Sequence, residues 1–350
     1  MLQLDTLLDR VPPRPDAAEL VAGFVPPARF AAKRFDDYQP DPRHPSQGAA
    51  RERLRAVAAE LHGEARRGWL RALVEGRRRG SGVYLDGGFG VGKTHLLAAL
   101  WHASPRPSAY LSFDELVYAI GLLGVDGARE AFRGMRLVAV DEWELDDPGN
   151  LKLALAFLRG ALADGVRVAT TSNTIPDELG RGRFDQKSFR HEIAELSDAF
   201  EVLRIEGDDY RHRHFRADPN GRYFLAPAEM DEARRAAPPR TLAAGFGEVM
   251  EGLGRVHPIR YHAVVEEIDG LLLEGVRPLP TLFDGLRWVH FVDKLYDADV
   301  RLAATGAAGL GELFRDEWMR GPYGKKFSRG LSRLEEMRGE ALGLPPAAAA

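Results

Sequence analysis

Eight consecutive residues, Gly87-Gly88-Phe89-Gly90-Val91-Gly92-Lys93-Thr94, follow the order glycine, four residues, glycine, lysine, hydroxyl side chain. Each position has a chemical reason. Glycines let the backbone wrap closely around a phosphate with successive N–H groups pointing inward. A helix opening at Lys93 adds the positive end of its dipole. The Lys93 ammonium can then reach the β- and γ-phosphates of a nucleotide, and the Thr94 hydroxyl can serve Mg²⁺. His95, the next residue, completes the expected binding set. A glycine-rich turn matching by chance would lack flanking elements. Here the apolar run Val83-Tyr84-Leu85 precedes the loop and a helical pattern, Thr94–Ala103, follows it.

A phosphate cradle of this kind needs a second group to hold the metal. Leu137-Val138-Ala139-Val140 is an apolar run ending in Asp141-Glu142. An acid at the end of a buried strand can hold Mg²⁺, which assigns Asp141 with Thr94 to the metal. Glu142 is then placed to act as general base on the attacking water. Two acids closing a strand at a solvated surface is the plain alternative, and the preceding motif argues against it. The run Thr170-Thr171-Ser172-Asn173 ends the next strand. Asn173 is the candidate to contact the γ-phosphate or the water; alternatively it starts a turn helped by Pro176. The three elements in this order favour an ATPase over a small-molecule kinase. A kinase needs an acceptor pocket and has no use for a glutamate directly after the metal aspartate.

These residues must be carried by a sheet. Short apolar runs at 82–85, 109–113, 137–140, 166–171 and 200–205 alternate with helical patterns at 47–79, 94–103 and 151–162. Strands alternating with helices predict a parallel sheet covered on both faces. Ser112 followed by Glu115 forms a capping box for the helix after the second strand. The proline-rich stretch Tyr38–Pro45 cannot be regular helix. The expected organisation is an extended N-terminal arm over 1–50, an ATPase core over 51–237, a mainly helical lid domain over 238–345 and a disordered tail over 346–350. One or two short strands are expected in the lid near Tyr261–Val265.

Composition narrows the field. The 350 residues contain no cysteine, which removes disulfide frameworks, thiolate metal sites and cysteine nucleophiles. No apolar run is long enough to span a bilayer and the first residues lack the pattern of a signal peptide, so a cytoplasmic protein is expected. The net charge of −4 gives no global attraction for DNA or RNA. His212 with His214, and His257 with His262, lack a third ligand and read as ordinary surface or core histidines. Arg77-Arg78-Arg79 reads as a basic helix end.

Beyond the nucleotide motifs, the chain resembles the ZapE family of AAA-type ATPases from about Tyr38 to Met337. The resemblance rests on Asp141–Pro148, on Thr171-Ser172-Asn173 with Pro176–Leu179, on Asp209–Arg213, on Phe291–Asp297 and on Ser332–Met337. Trp143, Gly180 and Gly330 stand where members usually carry Phe, Tyr and Thr. The resemblance implies an α/β P-loop core with strand order 5-1-4-3-2 and a helical lid. It implies ATP and Mg²⁺ as cofactors, a homo-oligomer, and coupling of hydrolysis to a protein partner, with the division machinery as the partner it suggests. An arginine from a neighbouring subunit would complete the site; Arg183 is the first candidate, with Arg181 and Arg190 as alternatives. Arg287, opening a lid helix, is a candidate nucleotide sensor. Gln47 is placed near the adenine or, equally, is a plain helix residue. The rival readings are an ATP-switched nucleic-acid-binding module of the helicase-loader type, and a nucleotide-regulated scaffold that barely hydrolyses.

Overall fold

The structure is a computed structural model and describes residues 2–10, 16–72, 80–88, 90–143, 148–173, 199–207, 227–306, 309–321 and 323–341. In chain order the elements are α1 (Leu4–Asp9), α2 (Ala17–Ala22), α3 (Pro45–Ala72), β1 (Gly82–Gly87), α4 (Lys93–Ala103), β2 (Ser108–Ser112), α5 (Phe113–Ala131), β3 (Leu137–Asp141), α6 (Pro148–Ala163), β4 (Arg167–Ser172) and β5 (Phe200–Ile205). There follow α7 (Pro227–Arg235), β6 (Thr241–Gly245), α8 (Phe246–Gly254), α9 (Tyr261–Val265), β7 (Gly270–Val276), α10 (Leu282–Asp297), β8 (Arg301–Gly306), α11 (Asp316–Met319) and α12 (Gly324–Ala341). The chain divides into two compact units, 15–210 and 1–14 with 211–350.

In the first unit β1 to β5 form one parallel sheet in the order β2-β3-β4-β1-β5, which is the expected 5-1-4-3-2 read from the other edge. Every residue of β3 is buried, as a central strand with helices on both faces requires. Period-two alternation sorts the strands. Val83, Leu85, Leu137, Ala139 and Ala169 pack with α3 and α4, while Tyr84, Val138, Val140 and Val168 pack with α5 and α6. The capping box at α5 is present: the Glu115 N–H donates to Ser112 Oγ at 3.3 Å and the Ser112 N–H to Glu115 Oε2 at 2.7 Å. Helix α5 bends at Gly124, where φ is 73°, a conformation glycine adopts without steric cost.

The second unit is mainly helical, and its helices cover a three-stranded parallel sheet in the order β6-β7-β8. The sequence pattern misplaced these strands. Tyr261–Val265 is a helix, not a strand, and Tyr261, Val264 and Val265 are its buried residues. That spacing places all three on one helical face, and core packing outweighs the strand preference of Tyr and Val. The expected arm over 1–50 also divides. Residues 2–10 join the second unit, with Leu2 bridging to Leu242 of β6 and Leu7 and Leu8 buried in its core. Residues 16–44 stay with the first unit, where the Phe24 carbonyl accepts from the Tyr110 N–H of edge strand β2 at 2.8 Å.

Candidate functional site

The predicted phosphate loop joins β1 to α4. Gly90 and Gly92 have φ of 70° and 87°, the positive values that turn successive N–H groups toward one side. Helix α4 begins at Lys93, directly after Gly92. Phe89 lies outside the described residues. Lys93 is nearly buried, and its ammonium donates to the carbonyls of Gly87 at 2.7 Å and Gly88 at 2.5 Å. It also donates to Asn173 Oδ1 at 2.8 Å. The candidate at the end of β4 therefore meets the lysine of the loop.

Asp141 ends β3 beside the loop and is 7% exposed. Thr94 Oγ1 donates to its Oδ1 at 3.3 Å. Tyr110 on β2 donates its hydroxyl to Asp141 Oδ2 at 2.9 Å, and the Thr171 hydroxyl on β4 donates to Oδ1. Strand register explains the meeting: Tyr110 pairs with Ala139, two residues before Asp141, and Thr171 pairs with Leu85, and Tyr110, Ala139 and Leu85 all pack on the α4 side. The backbone of Glu142 is left-handed, with φ of 56°. Its N–H donates to Thr171 Oγ1 at 2.9 Å and to Asp141 Oδ1 at 3.1 Å. The next N–H, of Trp143, donates to the Thr171 carbonyl at 2.7 Å. Tyr110 was not among the residues the motifs picked out, and Thr171 was quoted only as part of the run leading to Asn173, with no role of its own. Alternation and strand order point to both, because each lies within a strand.

The oxygen donors fit Mg²⁺. Thr94 hydroxyl and Asp141 carboxylate are hard ligands, and two protein donors suit a cation that keeps several waters and takes phosphate oxygens. Among the described residues no group of three or more His, Cys, Asp or Glu side chains could hold a metal by itself.

Other candidates are distributed as follows. The His95 imidazole is turned to the Arg34 carbonyl at 2.9 Å and meets Tyr38 edge-on. Burial lowers its pKa below the ordinary histidine value. Gln47, at the start of α3, donates to the Glu206 carbonyl and accepts from the Asp41 N–H, each at 2.8 Å. It lies so close to Gly207 that a Cβ there would come within 2.6 Å of its Nε2. Arg287 belongs to α10 in the second unit, where it pairs with Asp284 at 2.9 Å. Arg181, Arg183 and Arg190 lie outside the described residues, as do Arg77–Arg79, His212, His214 and the tail over 346–350.

A family model described as AFG1-like ATPase matches residues 25–241 and 232–343. Cell division protein ZapE of Escherichia coli K12 is 23% identical over 302 residues, covering 74% of this chain and 78% of that protein. Two solved structures overlap more loosely. One, titled "Crystal Structure of the DnaI", is 18% identical, covers 51% of this chain and 94% of its own, and has a TM-score of 0.38. The other is titled as a DNA replication initiation factor. It is 13% identical, covers 88% and 98%, and has the same TM-score of 0.38.

Proposed function

Because the chain belongs to the AFG1-like ATPase family, we propose that it binds ATP with Mg²⁺ at Gly87–Thr94, hydrolyses it to ADP and phosphate, and couples the reaction to remodelling or regulating a protein partner. One observation supports this most. Thr94 and Asp141 are 47 residues apart in sequence, Lys93 and Asn173 are 80 apart, and both pairs meet at the mouth of the same loop.

The roles follow from charge and reach. Loop N–H groups receive the phosphate oxygens. Lys93 exchanges a carbonyl contact for phosphate and offsets its negative charge. Thr94 and Asp141 would hold Mg²⁺, which when bound spreads the charge developing between the β- and γ-phosphates. Glu142 takes the proton of the attacking water, and the oxygen of that water forms the new bond to γ-phosphorus as the bond to ADP breaks. Asn173, bonded to Lys93, reports on the γ-phosphate position. Arg183 of a neighbouring copy supplies further positive charge in a homo-oligomer, and Arg287 senses the nucleotide. The similarity to a protein named for cell division supports the division machinery as the partner, and the reading includes a cytoplasmic setting.

The test is steady-state ATP hydrolysis at several protein concentrations for the wild type, Lys93→Ala and Glu142→Gln. Wild-type activity per subunit is expected to rise with concentration. Lys93→Ala should lose nucleotide binding, and Glu142→Gln should retain it while losing at least about a hundredfold in kcat. A wild type that binds ATP without turnover at any concentration sinks the hydrolytic reading. A Glu142→Gln variant with wild-type kcat sinks the assignment of the base.

A further inference from the structure

We propose that Tyr38, far upstream of the phosphate loop, is a positioning residue that aims the loop's Gly92 N–H at the phosphate. This inference rests on the nucleotide reading of that loop. Tyr38 is 6% exposed, and its hydroxyl donates to the Val91 carbonyl at 2.9 Å. In a planar trans peptide the carbonyl of one residue and the N–H of the next point in opposite directions. Holding the Val91 carbonyl toward Tyr38 therefore turns the Gly92 N–H to the other side. Gly92 is the residue directly before α4, with φ of 87°, so its N–H belongs to the cradle that the loop and helix end build together.

The ring contributes as well as the hydroxyl. A Cβ on Gly92 would come within 2.5 Å of Tyr38 Cε2. Gly92 therefore needs to be glycine twice over, for its backbone angle and for the aromatic ring seated against it. His95, in the first turn of α4, meets the same ring edge-on with centroids 5.5 Å apart.

The segment carrying Tyr38 is itself anchored. The Tyr38 carbonyl accepts from Arg51 Nη1 at 3.3 Å. Three residues on, the Asp41 N–H is held by Gln47, whose amide nitrogen binds the Glu206 carbonyl beyond β5. Upstream, the Arg34 carbonyl binds His95 and the Phe30 carbonyl binds His102 at 3.2 Å, both on α4. The strap from Phe30 to Gln47 is thus pinned to α4 and to the end of β5, and Tyr38 is where it touches the loop backbone. A bond from a buried hydroxyl to a carbonyl that has no ladder partner is the kind whose loss leaves that carbonyl free to turn.

The experiment uses the full chain, with Tyr38→Phe against the wild type and three probes: ADP, GDP and inorganic pyrophosphate, each with Mg²⁺, by titration calorimetry. Pyrophosphate has no base, so it reads the cradle alone. ADP and pyrophosphate are both expected to weaken by about tenfold, the loss of one buried hydrogen bond, while the preference for ADP over GDP stays as in the wild type. Amide hydrogen exchange accompanies the titration. Peptides covering 88–96 should exchange faster in Tyr38→Phe, and those covering β1, β3 and β4 should not.

Binding of ADP and pyrophosphate within twofold of the wild type overturns the proposal. So does a loss confined to ADP, which would place Tyr38 at the base, and so does faster exchange throughout the unit, which would make it an ordinary core residue. If the wild type binds none of the three probes, the nucleotide reading falls, while the exchange comparison still decides whether Tyr38 holds the loop.

Discussion

Thr171 shows how one hydroxyl can organise two functional candidates. It donates to Asp141 Oδ1 and accepts the Glu142 N–H, and it is almost fully buried. A non-glycine residue in the left-handed region costs on the order of 1–3 kcal/mol and persists only where its surroundings hold it. Here the Thr171 hydroxyl and the Asp141 carboxylate hold Glu142 from one side, and the Trp143 N–H, bonded to the Thr171 carbonyl, holds the next peptide. Replacing Thr171 by valine keeps the shape and removes the hydroxyl. If Glu142 is the base proposed above, its release should lower kcat by about tenfold to a hundredfold, since small misplacements near reacting atoms cost that much. KM should change less than kcat, because the loop itself is untouched although Asp141 loses one donor. Thr171→Ser should restore most of the rate, and a valine variant that loses only thermal stability would mean the hydroxyl serves packing alone. At this scale Lys93, Thr94, Asp141 and Asn173 were legible from motif spacing. Tyr110 was not, and the role of Thr171 within its motif run was not, since a tyrosine and a threonine inside strands look like ordinary sheet residues until register brings them to the same carboxylate.

Helices α10 and α12 join two stretches that looked unrelated along the chain. Asp293 from Phe291–Asp297 is buried between Arg329 and Arg333, and Arg333 belongs to Ser332–Met337. Arg333 also lies over the Tyr296 ring, 4.9 Å from its centroid, and the Tyr296 hydroxyl donates to Glu336 Oε2 at 3.0 Å. Burial by itself would raise the Asp293 pKa, but the two guanidiniums outweigh it and hold the carboxyl well below its usual range. A depressed folded pKa stabilises fully above the unfolded value of 3.8. That contribution is lost as pH falls from there toward the folded value. Asp293→Asn should cost about 3–5 kcal/mol, because it removes the buried negative charge that both guanidiniums face. Denaturant unfolding at neutral pH checks this, and a cost under about 1 kcal/mol would show the pair to be solvated. Gly330 fits the same contact: a Cβ there would come within 3.0 Å of Val289 Cγ2, so the two helices approach closely at that position. The core strands were readable as apolar runs between helices. The second sheet was not: Thr241-Leu242-Ala243-Ala244-Gly245 is short and small, and the leucines of 271–273 suit a helix equally well.

On the scale of the whole molecule, the chain begins in one unit, builds the other, and returns to the first. Residues 1–14 belong with 211–350. Leu7 is 1% exposed, and a Cβ on Gly252 of α8 would come within 2.9 Å of Leu8 Cδ1, so α1 is seated closely on α8. Leu7→Ala should cost the second unit about 2–5 kcal/mol, the usual range for a buried leucine. Limited proteolysis should then cut first within 240–340. First cleavage within the sheet of β1 to β5 would mean that α1 does not support the second unit.

The sequence alone determined the spacing of the phosphate-loop motif and the alternation of core strands with helices. Those features depend on contiguous residues and on short apolar runs whose period is visible in one dimension; the order of the strands was what the family resemblance implied. Tertiary structure decided what depends on distant residues meeting. It placed Tyr38 on the loop carbonyl, Thr171 between two acids, Asp293 between two arginines and the first helix in the last unit. Each is a side-chain meeting set by strand register, helix approach or chain return. Local propensity carries no record of these, because the free energy that selects them is released only when the partners are buried together.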